Sequence, residues 1–227
     1  MPEQITGETT DGIVLSYLQG SWSDVRVQTG AQHSYYDSNT RDTIQVNHSV
    51  GMRGTSFGLV RAFFDFDTSG ITDTVSEAFL RIHGWAKDDL DVIAVKSDQG
   101  SGLSTADWQA IRGAEEEFAL SDGSGAGTLN GATGVTVYSA KFTSWDIDGL
   151  NSAAITVAGL ADMRSEDNFR FCLMDYDYDF LDIEPPEAQL KTGLYWEDES
   201  NEELKPRIDY TLATAVTDNA TFFGANF

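Results

Sequence analysis

The stretch Glu77-Ala78-Phe79-Leu80-Arg81-Ile82-His83 sets Ala78, Leu80 and Ile82 against Glu77, Arg81 and His83. In an extended chain successive side chains point to opposite faces, so this run is a half-buried strand with a period of two. The same period returns near the end, where Ile208, Tyr210 and Leu212 alternate with Arg207, Asp209 and Thr211. Further strand candidates are residues 12–18, 22–27, 43–47, 59–66, 91–96, 135–142, 155–157, 168–175 and 193–196. They are separated by Gly, Asn, Asp and Ser, and the chain has only 4 prolines, which favours antiparallel structure. The expectation is an all-β chain of two packed antiparallel sheets with one or two short helices. Ser104-Thr105-Ala106-Asp107 reads as one helix start, with Trp108 and Ile111 as its apolar stripe, and a second turn is expected after Asp146.

The 227 residues suit one large domain, read as a polar N-terminal arm (1–11), the sandwich (12–212) and a C-terminal tail (213–227). The Gly-rich segment 121–134 has strand-like runs on both sides and is read as a long hairpin loop within that domain. Composition speaks most clearly through charge: 37 acidic residues against 14 basic give −23 at pH 7. Such a surface disfavours nucleic acid and anionic membranes as partners and offers oxygen ligands to hard cations. The lone cysteine, Cys172, excludes an internal disulfide and sits in a strand-core setting. No basic-then-apolar leader and no membrane-length apolar run is present, so the chain is expected to be neither classically secreted nor membrane-bound.

The run from Arg61 to Ile82, opening Arg61-Ala-Phe-Phe-Asp-Phe-Asp67, resembles one shared by β-sandwich domains of bacterial surface proteins and phage virion proteins, the DNRLRE-type or carbohydrate-binding-module-like domains. Asp91-Val-Ile-Ala-Val-Lys96, Leu103-Ser-Thr-Ala-Asp-Trp108 and Lys205-Pro-Arg-Ile-Asp-Tyr210 resemble further pieces of that pattern in the same order. The Ser-Ala pair of the pattern is broken here as Ser76-Glu77-Ala78, the DNRLRE sequence is absent, and the tail lies outside the similarity. The resemblance implies a jelly-roll-like sandwich without catalysis.

Asp175-Tyr-Asp-Tyr-Asp-Phe-Leu-Asp182 alternates carboxylates with rings. As a strand it places Asp175, Asp177 and Asp179 on one face at roughly 6.5–7 Å intervals. Such a row is either a solvated acidic rim or a partial calcium site completed from other loops. An EF-hand loop is excluded, because its sixth position is Phe180 and its twelfth Pro186. Asp65 and Asp67 are expected to fix the turn at Thr68-Ser69-Gly70. For sugar stacking the rings best placed to be exposed are Tyr35, Tyr36, Tyr195 and Trp196, whereas Trp22, Trp85 and Trp108 read as core.

His33, His48 and His83 are scattered, without zinc spacing, and neither a serine elbow nor a phosphate-cradling loop occurs, so no enzyme activity is expected. Phe222, Phe223 and Phe227 in the tail need a covering surface, either the protein's own sandwich or a neighbouring subunit. Together with the resemblance, these features lead to the expectation of a bacteriophage virion protein of head, tail or fibre, with other virion proteins as partners and a homo-oligomer, a trimer by analogy. The alternative is a carbohydrate-binding module or adhesin for host-surface glycans.

Overall fold

The computed structural model describes residues 3–8, 10–26, 30–36, 41–87, 90–111 and 135–213. Among the described residues eleven strands form an antiparallel, all-β sandwich: β1 (Glu3–Thr6), β2 (Gly12–Gln19), β3 (His33–Tyr36), β4 (Arg41–Gly51), β5 (Gly54–Asp67), β6 (Val75–Lys87), β7 (Val92–Lys96), β8 (Leu150–Ala154), β9 (Asn168–Asp175), β10 (Gln189–Tyr195) and β11 (Arg207–Leu212). Two long strands organise the pairing. One edge of β5 pairs with β2; the other pairs with β4 from Gly54 to Val60 and then with β9 from Ala62 to Asp67. Strand β6 pairs with β11 and β8 along its first part and with β10 over Gly84–Lys87. Residues 3–6, expected as a polar arm, form the edge strand β1 on β11.

The period-two reading of β6 holds: Ala78, Leu80 and Ile82 are buried while Glu77 is exposed and Arg81 and His83 are half-buried. Strand β5 differs because both of its faces are covered from Ser56 to Phe66. On one face Phe64 and Phe66 meet Phe171 at ring-centroid distances of 5.0 and 5.8 Å, and Phe64 meets Trp196 at 5.0 Å. The opposite face carries Phe57, Arg61 and Asp65, and there Phe57 packs edge-on against Trp22.

Residues 22–27, expected as a strand, instead begin with the helix α1 (Trp22–Arg26). The backbone N–H and hydroxyl of Ser21 donate to Asp24 Oδ2 at 3.0 and 2.6 Å while Asp24 N–H donates back to Ser21 Oγ at 3.3 Å, a reciprocal cap. With Trp22, Val25 and Arg26 buried one turn apart, the helix covers β5. Of residues 155–157, also expected as a strand, Ile155 makes a single antiparallel bridge to Ser139, and Val157 opens a second helix, α2 (Val157–Ser165), capped by Thr156, whose side chain accepts from Gly159 N–H. Residues 135–142 run extended but meet the sheet only through bridges such as Val95–Val137 and Val92–Phe142. The turn at Ser104 is present as a single 3₁₀ helix, Thr105–Gln109, in which Asp107 Oδ2 accepts from Ser104 N–H and Oγ. After Asp146 the chain bends without forming a helix. The segment 121–134 lies outside the described residues.

One glycine of β6 is held by a close approach. A Cβ on Gly84 would lie 2.2 Å from the Asp146 carbonyl oxygen and 2.5 Å from Trp145 Nε1. Gly84→Ala is therefore expected to cost about 1–3 kcal/mol, a fall in Tm of roughly 2–10 °C in a thermal melt. An unchanged Tm would mean that the 146–149 bend moves away freely.

Candidate functional site

The chemistry-bearing stretch 175–182 is not a strand. Strand β9 ends at Asp175, and Tyr176–Phe180 winds into one wide π-type turn. Asp175 Oδ1 caps it, accepting from Tyr178 N–H at 2.5 Å and Asp179 N–H at 3.4 Å. Leu181 N–H closes the turn on the Tyr176 carbonyl at 3.0 Å, and Asp182 follows in the left-handed region at φ 57°, which Asp tolerates better than most residues.

This winding separates the three aspartates that a strand would have aligned. Asp175 is buried at the cap, Asp177 is half-exposed, and Asp179 is fully buried against β5. There Arg61 clamps Asp179 with both forks, Nε to Oδ2 at 2.7 Å and Nη2 to Oδ1 at 2.8 Å. Arg61 also donates to the Trp108 carbonyl at 2.7 Å, and its guanidinium lies 4.1 Å from the centre of the Trp108 ring. Arg26 donates through Nε to the Asp179 carbonyl at 2.9 Å and pairs with Asp182 Oδ1 at 2.7 Å. Trp108 Nε1 returns a bond to the Arg26 carbonyl at 3.1 Å, and Trp22 Nε1 donates to the Tyr178 carbonyl at 3.2 Å. Two arginines, two tryptophans and the π-turn thus form one sealed polar layer between α1, the 3₁₀ helix and β5.

Electrostatics follows from this burial. Desolvation opposes the charge on Arg61, but the Asp179 carboxylate outweighs it and raises the guanidinium further above its ordinary value. Asp175 has no such cation among the described residues. Burial, with the Asp179 and Asp177 charges adding to it, pushes its carboxyl up to about 8 against the pull of its two backbone donors. Its Oδ2 is buried without a hydrogen-bond partner among the described residues. Among the described residues no three Asp, Glu, His or Cys side chains gather to hold a metal ion. The expected one-face row of Asp175, Asp177 and Asp179 is corrected in its geometry, since the π-turn sets Asp179 on Arg61 and Asp175 on the backbone.

Asp67 fixes its turn as expected, its Oδ1 accepting from Ser69 N–H at 2.9 Å and Oγ at 2.6 Å. Asp65 does not share that task. Its oxygens accept from Arg170 Nε at 2.8 Å and Asn168 Nδ2 at 3.0 Å, and its backbone N–H donates to the buried Asp11 at 2.7 Å.

The sugar-stacking candidates divide. Tyr35 is 46% exposed on β3, beside His33. Tyr36 pairs with Gly12 through its backbone, and its side chain lies outside the description. Tyr195 is half-buried, edge-on to His83 at 5.6 Å. Trp196 is corrected: only 4% of it is exposed, because the chain leaving β10 turns it onto Phe64. Strands β4, β5 and β2 separate Tyr195 from Tyr35, so the candidates do not form one platform. Trp22 and Trp108 are buried as expected, and Trp85 is half-buried beneath the Arg41 guanidinium, 4.8 Å from its ring centre. Phe222, Phe223 and Phe227 lie outside the described residues.

Arg26 and Asp182 were not singled out from the sequence, and Arg61 only as part of a motif. A signal existed, since Arg61 stands inside Leu59-Val60-Arg61-Ala62-Phe63, and a cation in an apolar strand needs a buried anion. No protein-family model matches the chain, and no curated protein matches it.

Proposed function

We propose that this chain is a non-enzymatic structural protein of a bacteriophage particle, displaying an acidic β-sandwich on the surface of head, tail or fibre as a homo-oligomer. The observation that carries the reading is the saturated, buried state of the ionisable cluster at the π-turn: Asp179 is fully buried with both oxygens on Arg61, and Arg26 is held by the same turn. Such a cluster is architecture that locks a turn to a sheet, and it leaves the excess negative charge to the outer surface. A surface of that sign keeps particles apart and repels nucleic acid. The resemblance of residues 61–82 to phage and bacterial surface domains supplies the setting.

Peptide mass spectrometry of purified virus particles from the source culture tests this. The expected result is this chain at a copy number comparable with the shell protein for a decoration role, or a few copies for tail or fibre. Its absence from the particles would refute the reading. A light-scattering mass of three subunits is expected for the isolated protein, and a mass of one subunit would remove the oligomer from the proposal.

The exposure of Tyr35 on β3 favours one second reading, an adhesin for host-surface glycans. Glycan-array binding that disappears in Tyr35→Ala, with an unchanged melting curve, is the result that would put it first.

A further inference from the structure

A groove of about 400 Å³ runs between the start of β6 and α2, lined by Thr74, Val75, Val157, Leu160, Ala161 and Arg164. On α2 these residues fall at i, i+3, i+4 and i+7, one stripe of the helix. The neighbouring stripe, Gly159 and Met163, faces the core, and Leu160 is half-buried against it, so the groove stripe is left open at Val157 and Ala161, both exposed. Val157 is 83% exposed there. Arg164 sits at the end of the stripe and forms no ion pair with any described residue.

The position of the last described residue identifies an occupant. Leu212 pairs with Val75, and Ala213 N–H donates to the Thr74 carbonyl at 2.7 Å, so the chain passes into residues 214–227 at the wall of this groove. Those residues carry Phe222, Phe223 and Phe227, together with one acid, Asp218. Nine residues beyond Ala213, Phe222 can reach as far as about 30 Å, well past any point of the groove. A short tether beginning at the site gives an effective concentration of order millimolar, which favours the protein's own segment over that of a second copy.

We propose that the α2–β6 groove is the seat of this chain's own C-terminal segment, with phenylalanine rings on the Val157–Leu160–Ala161 stripe and Asp218 toward Arg164. This goes beyond the virion reading and holds whether or not that reading does.

Disulfide trapping in the full chain tests it. The double variant Val157→Cys/Thr221→Cys keeps all three rings, and the native Cys172 is fully buried. Under mild oxidation it is expected to close an intramolecular bond about tenfold or more faster than Met52→Cys/Thr221→Cys, whose Met52 is fully exposed at the β4–β5 turn. Adding Phe222→Ser and Phe223→Ser should abolish the advantage. Equal closure rates for the two pairs, an advantage that survives loss of the rings, or disulfide-linked dimers as the main product would each overturn the proposal.

Discussion

Asp179→Ala is expected to lower the unfolding free energy by about 3–5 kcal/mol, a large share of the roughly 5–15 kcal/mol that holds a typical domain together. The magnitude comes from what is left behind. Arg61 would remain buried beneath α1 with two forks unpaired, bonded only to the carbonyls of Trp108 and, at 3.5 Å, Arg26. Arg61→Met is expected to do comparable damage from the other side, leaving a fully buried carboxylate with only the longer Arg26 Nε contact at 3.5 Å among the described residues. The double variant Arg61→Met/Asp179→Leu removes both charges and should be destabilised by clearly less than the sum of the single changes, with a coupling of roughly 2–3 kcal/mol. Urea unfolding of the four proteins reads this directly. Additive losses would mean that water reaches the pair, and the sealed layer on which the structural reading rests would then be wrong.

The same pair explains what the sequence disclosed and what it hid. Strands β6 and β9 were legible because their side chains obey a local rule, alternation in β6 and an apolar run bounded by polar residues in β9. The stretch 175–182 also alternates, yet its conformation is set by Arg61 and Arg26, 118 and 153 positions away from Asp179. Local alternation could not register that Asp175 stops the strand by capping the next turn, nor that Asp179 must turn inward to meet a cation. The helix α1 was misread for the opposite reason. Its cap, Ser21 with Asp24, is local and was available, but the β-like run Trp22–Val27 outweighed it. Trp196, at the end of a strand candidate and followed by Glu197 and Asp198, reads as exposed, whereas the ring is decided by Phe64 on a strand far away in sequence. Alternation and capping are short-range signals, and the sealed layer is a long-range one.

Stability is expected to fall as pH rises from about 4 to about 8, and Asp175→Asn is expected to remove part of that fall. In the unfolded chain Asp175 releases its proton near the ordinary value of 3.8, whereas in the folded protein burial holds the carboxyl up at about 8. Between those values the folded state binds a proton that the unfolded state has lost, so each rise in pH favours unfolding. The contribution is fully present below about pH 4 and is lost as pH climbs through 8. Asparagine keeps an acceptor for the Tyr178 and Asp179 amides but has no proton to lose. The variant should therefore gain on the native protein with rising pH, and by pH 8 the difference should reach a few kcal/mol, read as a higher Tm. Asp11, also raised well above its ordinary value by burial, supplies a similar slope that both proteins share, so the comparison isolates Asp175. Melting curves at pH 5, 6, 7 and 8 settle the point. Parallel Tm profiles for the two proteins would show that Asp175 is solvated, and the buried, unpartnered oxygen beneath the π-turn would have to be given up.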